Sequence, residues 1–161
     1  VLSEAVLEPQ NAWQLARRWS QLLLFLGIAS VIMGWFLAPL VISLLFERGE
    51  FSPEDTLKVV EVFRYGLVQV PFYFSSIVLL RFLASHKKYA QITIISSVVI
   101  ILKIPMNYFL IKWLGVPGVA LGTGLMYLCS WLMSMIVGQR LTKKGAGLSG
   151  AKENMGLLSD R

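Results

Sequence analysis

Cysteine, histidine and charged residues are scarce in this sequence of 161 residues. The one cysteine, Cys129, excludes an internal disulfide, and together with the one histidine, His86, it excludes multi-cysteine and paired-histidine metal sites. Charged residues make up 15% of the chain, whereas a typical soluble domain carries about 25%. Hydrophobic residues make up 56%, and the mean hydropathy is +0.67. A soluble core of this size cannot hide so much apolar surface, so the composition predicts a polytopic membrane protein.

Sequence motifs for catalysis are missing as well. The chain has no Gly-rich phosphate loop followed by lysine, no H-E-x-x-H motif and no Ser/His/Asp set within plausible reach. We therefore predict no enzyme activity, no catalytic residue, no cofactor and no metal. The net charge of +6 could point to a nucleic acid, but basic residues equally flank membrane helices on their cytoplasmic side, and we predict no nucleic-acid partner.

Four stretches with few or no charges are long enough to cross a bilayer, which takes about 20 helical residues. They are predicted at residues 22–46, 65–85, 89–111 and 116–138. Pro39, Pro71 and Pro105 lie inside the first three, where neighbouring helices can satisfy the carbonyl groups that proline leaves free. The fold class predicted is all-α, a single membrane domain of four transmembrane helices. Residues 141–161 are predicted to form a mobile cytoplasmic tail.

The loop after the first span contains signals for the start of a helix. Ser52 is a good N-cap, Pro53 suits the first helical position, and Asp55 completes a box of the S-x-x-D type. We therefore expect a helix that starts at Pro53 and runs into the second span.

The basic residues indicate the orientation of the spans, because lysine and arginine accumulate on the cytoplasmic side. Ten of the fifteen lie on one predicted side: Arg17, Arg18, Arg81, Lys87, Lys88, Arg140, Lys143, Lys144, Lys152 and Arg161. Acidic residues concentrate in the first loop, on the other side. Four spans place both termini of the chain on the same side, so both are predicted to be cytoplasmic.

Two basic residues lie within predicted spans, where a charge costs about 3 kcal/mol at mid-bilayer on insertion scales. Arg81 is close to the polar loop, so its side chain can reach the headgroups by snorkelling, with a place in a cavity as the alternative. Lys103 is deeper, about 12 Å from the end of its helix, and Asn107 follows one turn later on the same face. This pair indicates either a cationic patch that lines a substrate cavity or a polar packing cluster beside another helix.

Small residues recur at intervals of four in the fourth span. Gly118, Gly122, Ser130 and Ser134 follow the small-xxx-small pattern that lets helices approach closely in lipid. A face that slides during transport and a face for static packing both fit this pattern. The first span carries a weaker stripe of Gly27, Gly34 and Ala38.

Three segments carry a resemblance to one family. Residues 44–52, LLFERGEFS, resemble the L-F-x-R-G-x-F-[ST] signature of the MurJ/MviN family of lipid II flippases. Residues 81–85, RFLAS, followed by a short polar loop, also fit the family. Residues 114–122, LGVPGVALG, are similar to the family's L-G-x-x-G-x-A-L-[AG]. The resemblance extends over the chain up to about Arg140.

This resemblance implies that the chain is part of the second lobe of a larger two-lobed transporter in the bacterial cytoplasmic membrane. Such a transporter moves a lipid-linked oligosaccharide, the peptidoglycan precursor lipid II, across the membrane by alternating access. The implied partners are this substrate, the membrane lipids and the remaining helices of the full-length transporter. Lys103, Asn107 and Arg81 are then candidates for the polar inner face.

Two alternatives remain at this stage. The chain differs from the family pattern at Lys103 and in the basic segment 86–88, which leaves open a polysaccharide-unit translocase of the same superfamily. The other alternative is a non-transporting membrane anchor or scaffold that packs against a partner through its fourth span. It has to be weighed because four spans cannot by themselves enclose a cavity for a large lipid-linked sugar.

Overall fold

The computed structural model describes residues 9–46 and 52–159, with the side chains of residues 11–46, 52 and 54–143. Within these residues the chain forms α1 (Pro9–Phe46), α2 (Pro53–Leu67), α3 (Gln69–Ser85), α4 (Tyr89–Leu114) and α5 (Val116–Ser159), with no strand. Four stretches are long and apolar enough to cross a membrane: Asn11–Phe46, Glu54–Ser85, Tyr89–Leu114 and Val116–Lys143. The predicted all-α polytopic bundle is therefore confirmed. Most of the first-loop signature, residues 47–51, lies outside the described residues.

The helices are arranged in the order α1, α2–α3, α5, α4. Helix α1 packs mainly on α3 and α2, while α5 contacts all four of the other helices. Helix α4 packs mainly on α5 and only touches α3, and within the described residues it does not contact α1. The bundle has two ends, which we name after the turns they contain: the Ser52 end and the His86 end.

Helix α2 begins where the sequence predicts. Ser52 is extended, with φ −81° and ψ 158°, and its hydroxyl accepts a hydrogen bond from the backbone N–H of Asp55 at 3.2 Å. This confirms the predicted N-cap, which satisfies one of the free N–H groups of the first turn.

The helix that begins at Pro53 runs into the second span as expected: Glu54–Ser85 is one membrane-spanning stretch, with a single-residue break at Val68, of helical φ −57° and ψ −26°, between α2 and α3. Pro71 has no N–H to donate to the Leu67 carbonyl, so this stretch lacks one helical hydrogen bond. The N–H of Val68 instead bonds the Tyr65 carbonyl at 3.3 Å, one residue closer than in an α-helix. Pro71 itself lies in the first turn of α3, where a missing N–H is tolerated.

Glycines of the neighbouring helices face this break. A Cβ at Gly27 of α1 would overlap the Cα of Pro71, and one at Gly34 would lie 2.8 Å from the Leu67 side chain. On the other side, a Cβ at Gly124 of α5 would lie 3.2 Å from the backbone nitrogen of Gln69. The junction of α2 and α3 therefore lies in direct backbone contact with α1 and close to α5.

The helices extend beyond several of the predicted spans. α1 begins at Pro9 instead of residue 22, and α4 continues past residue 111 to Leu114, where Gly115 with φ 65° ends it. α5 does not stop at Gly138 but continues to Ser159, because no proline or left-handed residue interrupts it there. The side chains of residues 144–159 lie outside the described set, and the predicted mobility of the tail stays a prediction.

Buried apolar side chains form two clusters, one toward each end of the bundle. The larger cluster lies toward the His86 end and contains Ala12, Trp13, Ala16, Leu79, Phe82, Leu83, Ile95 and Val99. Its Trp13 ring stacks at 5.2 Å on Phe82, and a Cβ at Gly138 of α5 would overlap this indole. The smaller cluster, toward the Ser52 end, is formed by Ala38, Ile42 and Val60. The two ends of the bundle are therefore held by separate sets of contacts.

Candidate functional site

Lys103 lies on the face of α4 that packs against α5. Ile95 and Val99, on this face, are buried, and Lys103 follows Val99 by one turn and is half-buried. Within the described residues no carboxylate lies within 4.0 Å of its ammonium group. A half-buried cation in the middle of a membrane helix, with no anion from its own bundle, leaves a charge to be neutralised by another group.

Asn107 continues this face one turn later and is packed against a glycine. A Cβ at Gly122 of α5 would overlap Asn107 Oδ1, so the space for the amide exists because residue 122 has no side chain. The Oδ1 atom is buried and has no hydrogen-bond donor in the described part of the chain. An unsatisfied buried acceptor costs about 1–3 kcal/mol, and because this oxygen faces Gly122 of α5, the cost falls within the contact between α4 and α5.

The four predicted packing residues of α5 separate into two pairs. A Cβ at Gly118 would overlap the Leu110 carbonyl of α4, so Gly118 and Gly122 both allow close approach of α4. Ser130 and Ser134 lie further along α5 and are buried, with 9% and 0% of their surface exposed. Ser134 Oγ has no hydrogen-bond partner within the described residues.

A groove of about 250 Å³ lies between α3 and α4, over α5. Tyr73 and Ser76 of α3, Val99 of α4, and Tyr127 and Ser130 of α5 are among its lining residues. The rings of Tyr73 and Tyr127 meet edge to face at 5.0 Å. Side chains of a helix lean toward its N-terminus, so the side chain of Lys103 leans toward the turn that contains Val99. Lys103 and Asn107 continue the face of α4 that carries the lining residue Val99, but they do not themselves line the groove.

Arg81 is not part of this arrangement. It lies near the end of α3, and its side chain is exposed, with no hydrogen bond or ion pair to the described residues. The structure places it at the His86 end of the bundle, away from the contact between Asn107 and Gly122.

A buried hydrogen-bond relay joins three helices and was not predicted from the sequence. The indole Nε1 of Trp131 on α5 donates to Ser20 Oγ on α1 at 3.0 Å. The same hydroxyl donates to the Ser75 carbonyl of α3 at 3.1 Å. Ser20 and Ser75 are fully buried. No periodicity distinguishes Ser20 from other serines in the spans, so the sequence carries no signal for the relay.

Arg64 makes a second contact that sequence analysis missed. Its Nε donates to the Trp35 carbonyl of α1 at 3.1 Å, and its guanidinium lies 5.2 Å from the centre of the Trp35 ring. The sequence does hold a signal, because Pro39 lies four residues after Trp35 and leaves that carbonyl without its helical donor. The identity of the donor depends on how α2 docks on α1.

Comparisons with known proteins identify one family. A family model described as lipid II flippase MurJ matches residues 2–156. Proteins from two strains of Helicobacter pylori, each named probable lipid II flippase MurJ, are 39% identical to the chain over 97 residues, or 58% of it. The matched region is 20% of each of these proteins, so the chain spans about a fifth of the length of the curated relatives it matches. No solved structure matches the chain significantly. Because the family match extends over nearly the whole sequence, the chain belongs to the family of the lipid II flippase MurJ.

Proposed function

We propose that this chain is part of a transporter that flips lipid II, a lipid-linked oligosaccharide, across the bacterial cytoplasmic membrane. The observation that carries the proposal is the family match over residues 2–156, together with four helices that can span a membrane. The same match disfavours a polysaccharide-unit translocase and a non-transporting anchor, because neither is what the family and the named relatives are described as.

The chain takes its place in the second lobe of this transporter, with the His86 end of the bundle in the cytoplasm. Support for the orientation comes from the basic residues at that end, which include Arg17, Lys87 and Arg140, and from the acidic residues Glu54 and Asp55 at the other. In this placement the groove between α3 and α4 and the exposed part of the half-buried Lys103 side chain are open to the helices of the complete protein.

Lys103 and Asn107 contribute to the polar inner surface that the head group passes during alternating access. The absence of an anion near Lys103 within the described helices supports this role for Lys103. An ammonium group would attract the anionic head of the lipid, and the half-buried amide of Asn107 would donate to its oxygens through the NH₂ group, since Oδ1 faces Gly122. The polar packing cluster is the competing explanation for both residues.

Replacement of Lys103 by methionine separates the two explanations, since methionine keeps the length of the side chain and removes its charge. For a residue that binds the head group, we expect Lys103→Met to lower the initial rate of lipid II translocation in the complete protein about tenfold. The reason is the loss of a charge-assisted hydrogen bond. Lys103→Arg keeps the charge and is expected to retain most of the rate. The measurement is translocation of labelled lipid II in proteoliposomes of equal protein content.

Lys112→Met is the matched control, because Lys112 lies on the same helix with an exposed side chain near its end. It should leave the rate unchanged. If Lys103→Met translocates as fast as the unchanged protein, Lys103 has a packing role only. If the complete protein translocates no lipid II under conditions in which it is folded, the proposed function itself is wrong.

A further inference from the structure

The carbonyl of Trp35 is a backbone acceptor whose own helix cannot satisfy it. In an α-helix it would accept the N–H of residue 39, and that residue is Pro39. Within a membrane span such a carbonyl has no water to bond, so its partner must come from another part of the protein. Arg64 of α2 supplies the donor, at 3.1 Å.

The side chain of Arg64 contacts both the backbone carbonyl and the indole ring of Trp35. While Nε bonds the carbonyl, the guanidinium lies 5.2 Å from the centre of the indole of the same residue. Arg64 and Trp35 also line a cleft of about 370 Å³ between α1 and α2, together with Val60 and Glu61. The cleft is lined mainly by residues of α2, and the hydrogen bond from Arg64 adds a polar contact between α1 and α2 to the apolar packing of Val60.

The contact between Arg64 and Trp35 lies close to the buried core of the Ser52 end. Arg64 lies four residues before the break at Val68 and one turn after Val60, which belongs to the small apolar cluster with Ala38 and Ile42. That cluster is the buried core of the Ser52 end within the described residues. Separation of α2 from α1 at this end would remove the donor from the Trp35 carbonyl.

We propose that Arg64 is a positioning residue, a latch that replaces the N–H missing at Pro39 and so holds α2 against α1 at the Ser52 end of the bundle. The bond between Arg64 and the carbonyl favours the arrangement in which this end is closed. The effect on transport rests on the proposed function, since opening of this end would be one of the two states of an alternating-access cycle. The latch itself does not depend on what is transported.

Thiol accessibility of a buried contact residue tests the latch. Ile42 of α1 is 4% exposed, belongs to the cluster with Val60 and does not line the cleft, so a cysteine placed there reacts with a maleimide only when α2 leaves α1. In the complete protein, with Cys129→Ala and every other cysteine replaced, Ile42→Cys reports this opening. Arg64→Ala should raise the labelling rate at least about fivefold, the change in an opening equilibrium that corresponds to ~1 kcal/mol for one hydrogen bond. Lys58→Ala, which removes an exposed cation from the same helix, should leave the rate unchanged.

Restoring the missing backbone donor gives the decisive comparison. In Pro39→Ala the N–H of residue 39 can bond the Trp35 carbonyl, so Arg64 becomes redundant there. We expect the double variant Pro39→Ala with Arg64→Ala to have a labelling rate within about twofold of the rate of the protein that carries neither change. Pro39→Ala alone should not raise the labelling rate. The latch is wrong if Arg64→Ala leaves labelling unchanged, or if the double variant labels as fast as Arg64→Ala alone. Faster labelling in Pro39→Ala alone would also overturn the latch, because Pro39 itself and not Arg64 would then hold the Ser52 end closed.

Translocation measured on the same variants connects the latch to transport. We expect Arg64→Ala to change the rate and the added Pro39→Ala to restore it, in parallel with the labelling. Labelling requires no substrate, so a protein that translocates nothing in any variant contradicts the proposed function and leaves the labelling result standing. If Arg64→Ala raises the labelling rate but leaves the translocation rate unchanged, the latch has no role in the transport cycle.

Discussion

One hydroxyl group, that of Ser20, makes two of the hydrogen bonds that join different helices. Ser20 both donates and accepts between helices, whereas Ser30 and Ser43 bond carbonyls of their own helix. Apolar side chains gain little from association in lipid, because the lipid tails solvate them equally well. A hydroxyl that bonds α1, α3 and α5 therefore helps to fix the positions of these helices relative to one another.

Loss of the Ser20 hydroxyl should destabilise the bundle. We expect Ser20→Ala to lower the free energy of unfolding by about 1–2 kcal/mol, because the buried Trp131 N–H loses its acceptor. The double variant Ser20→Ala with Trp131→Phe should lose less than the sum of the single variants, since both remove the same bond. The measurement is reversible unfolding in detergent micelles. Ser30→Ala is the control and should change stability by less than about 0.5 kcal/mol. If the double variant loses the full sum of the two single losses in unfolding free energy, Ser20 and Trp131 are not energetically coupled.

Lys103 and Arg64 show what can be predicted for individual residues. Lys103 is conspicuous in the sequence because a charge in the middle of an apolar span is costly. Arg64 bonds a backbone carbonyl of another helix but lies at the edge of its predicted span, where a basic residue is ordinary. Its partner is a backbone carbonyl on another helix, and sequence patterns say nothing about the distance between two helices.

At the scale of helices, close approach of α4 and α5 depends on two glycines. Gly118→Ala should lower the free energy of unfolding by about 1–3 kcal/mol, because the new Cβ overlaps a backbone carbonyl that cannot rotate away. Gly66→Ala is the matched control: its Cβ would lie 4.0 Å from the nearest atom, and alanine favours a helix over glycine. It should leave stability unchanged or raise it. Unfolding of both variants in the same detergent decides the point, and equal losses would contradict a specific role for Gly118.

The helices themselves could be predicted from the sequence, but their breaks and ends could not. Apolar length marks the four membrane-spanning segments, and Ser52, Pro53 and Asp55 mark the start of α2. The break at Val68 was missed because Pro71 permits either a kinked helix or two helices, and the choice depends on the contacts of Pro71 with Gly27 of α1. α5 continues beyond the predicted span 116–138 to Ser159, and Gly138, at the end of that span, packs against Trp13.

At the scale of the whole molecule, two helices are only lightly covered by the others. In the most apolar stretches of α1 and α4, 11% of the residues are buried. They occupy the two edges of the row of helices, on either side of α2–α3 and α5. The relatives are about five times as long as the matched segment, and we predict that further helices of the complete protein, together with lipid, cover these edges.

Labelling in intact cells tests the orientation of the bundle. In the complete protein with its cysteines replaced, Glu54→Cys should react with a membrane-impermeant maleimide added outside the cytoplasmic membrane. Lys87→Cys should react only after the membrane is permeabilised. Both side chains are exposed at opposite ends of the bundle, so access to solvent does not differ between them. Labelling of Lys87→Cys from outside would reverse the predicted topology.

The approach of Gly27 to Pro71 also has a consequence for the evolution of the family. A side chain at position 27 would collide with the backbone of residue 71, and a residue other than proline there would restore the helical bond to Leu67 and move that backbone. Neither position can change freely while the other stays the same. In an alignment of homologues, positions 27 and 71 should therefore covary, although they lie on different helices.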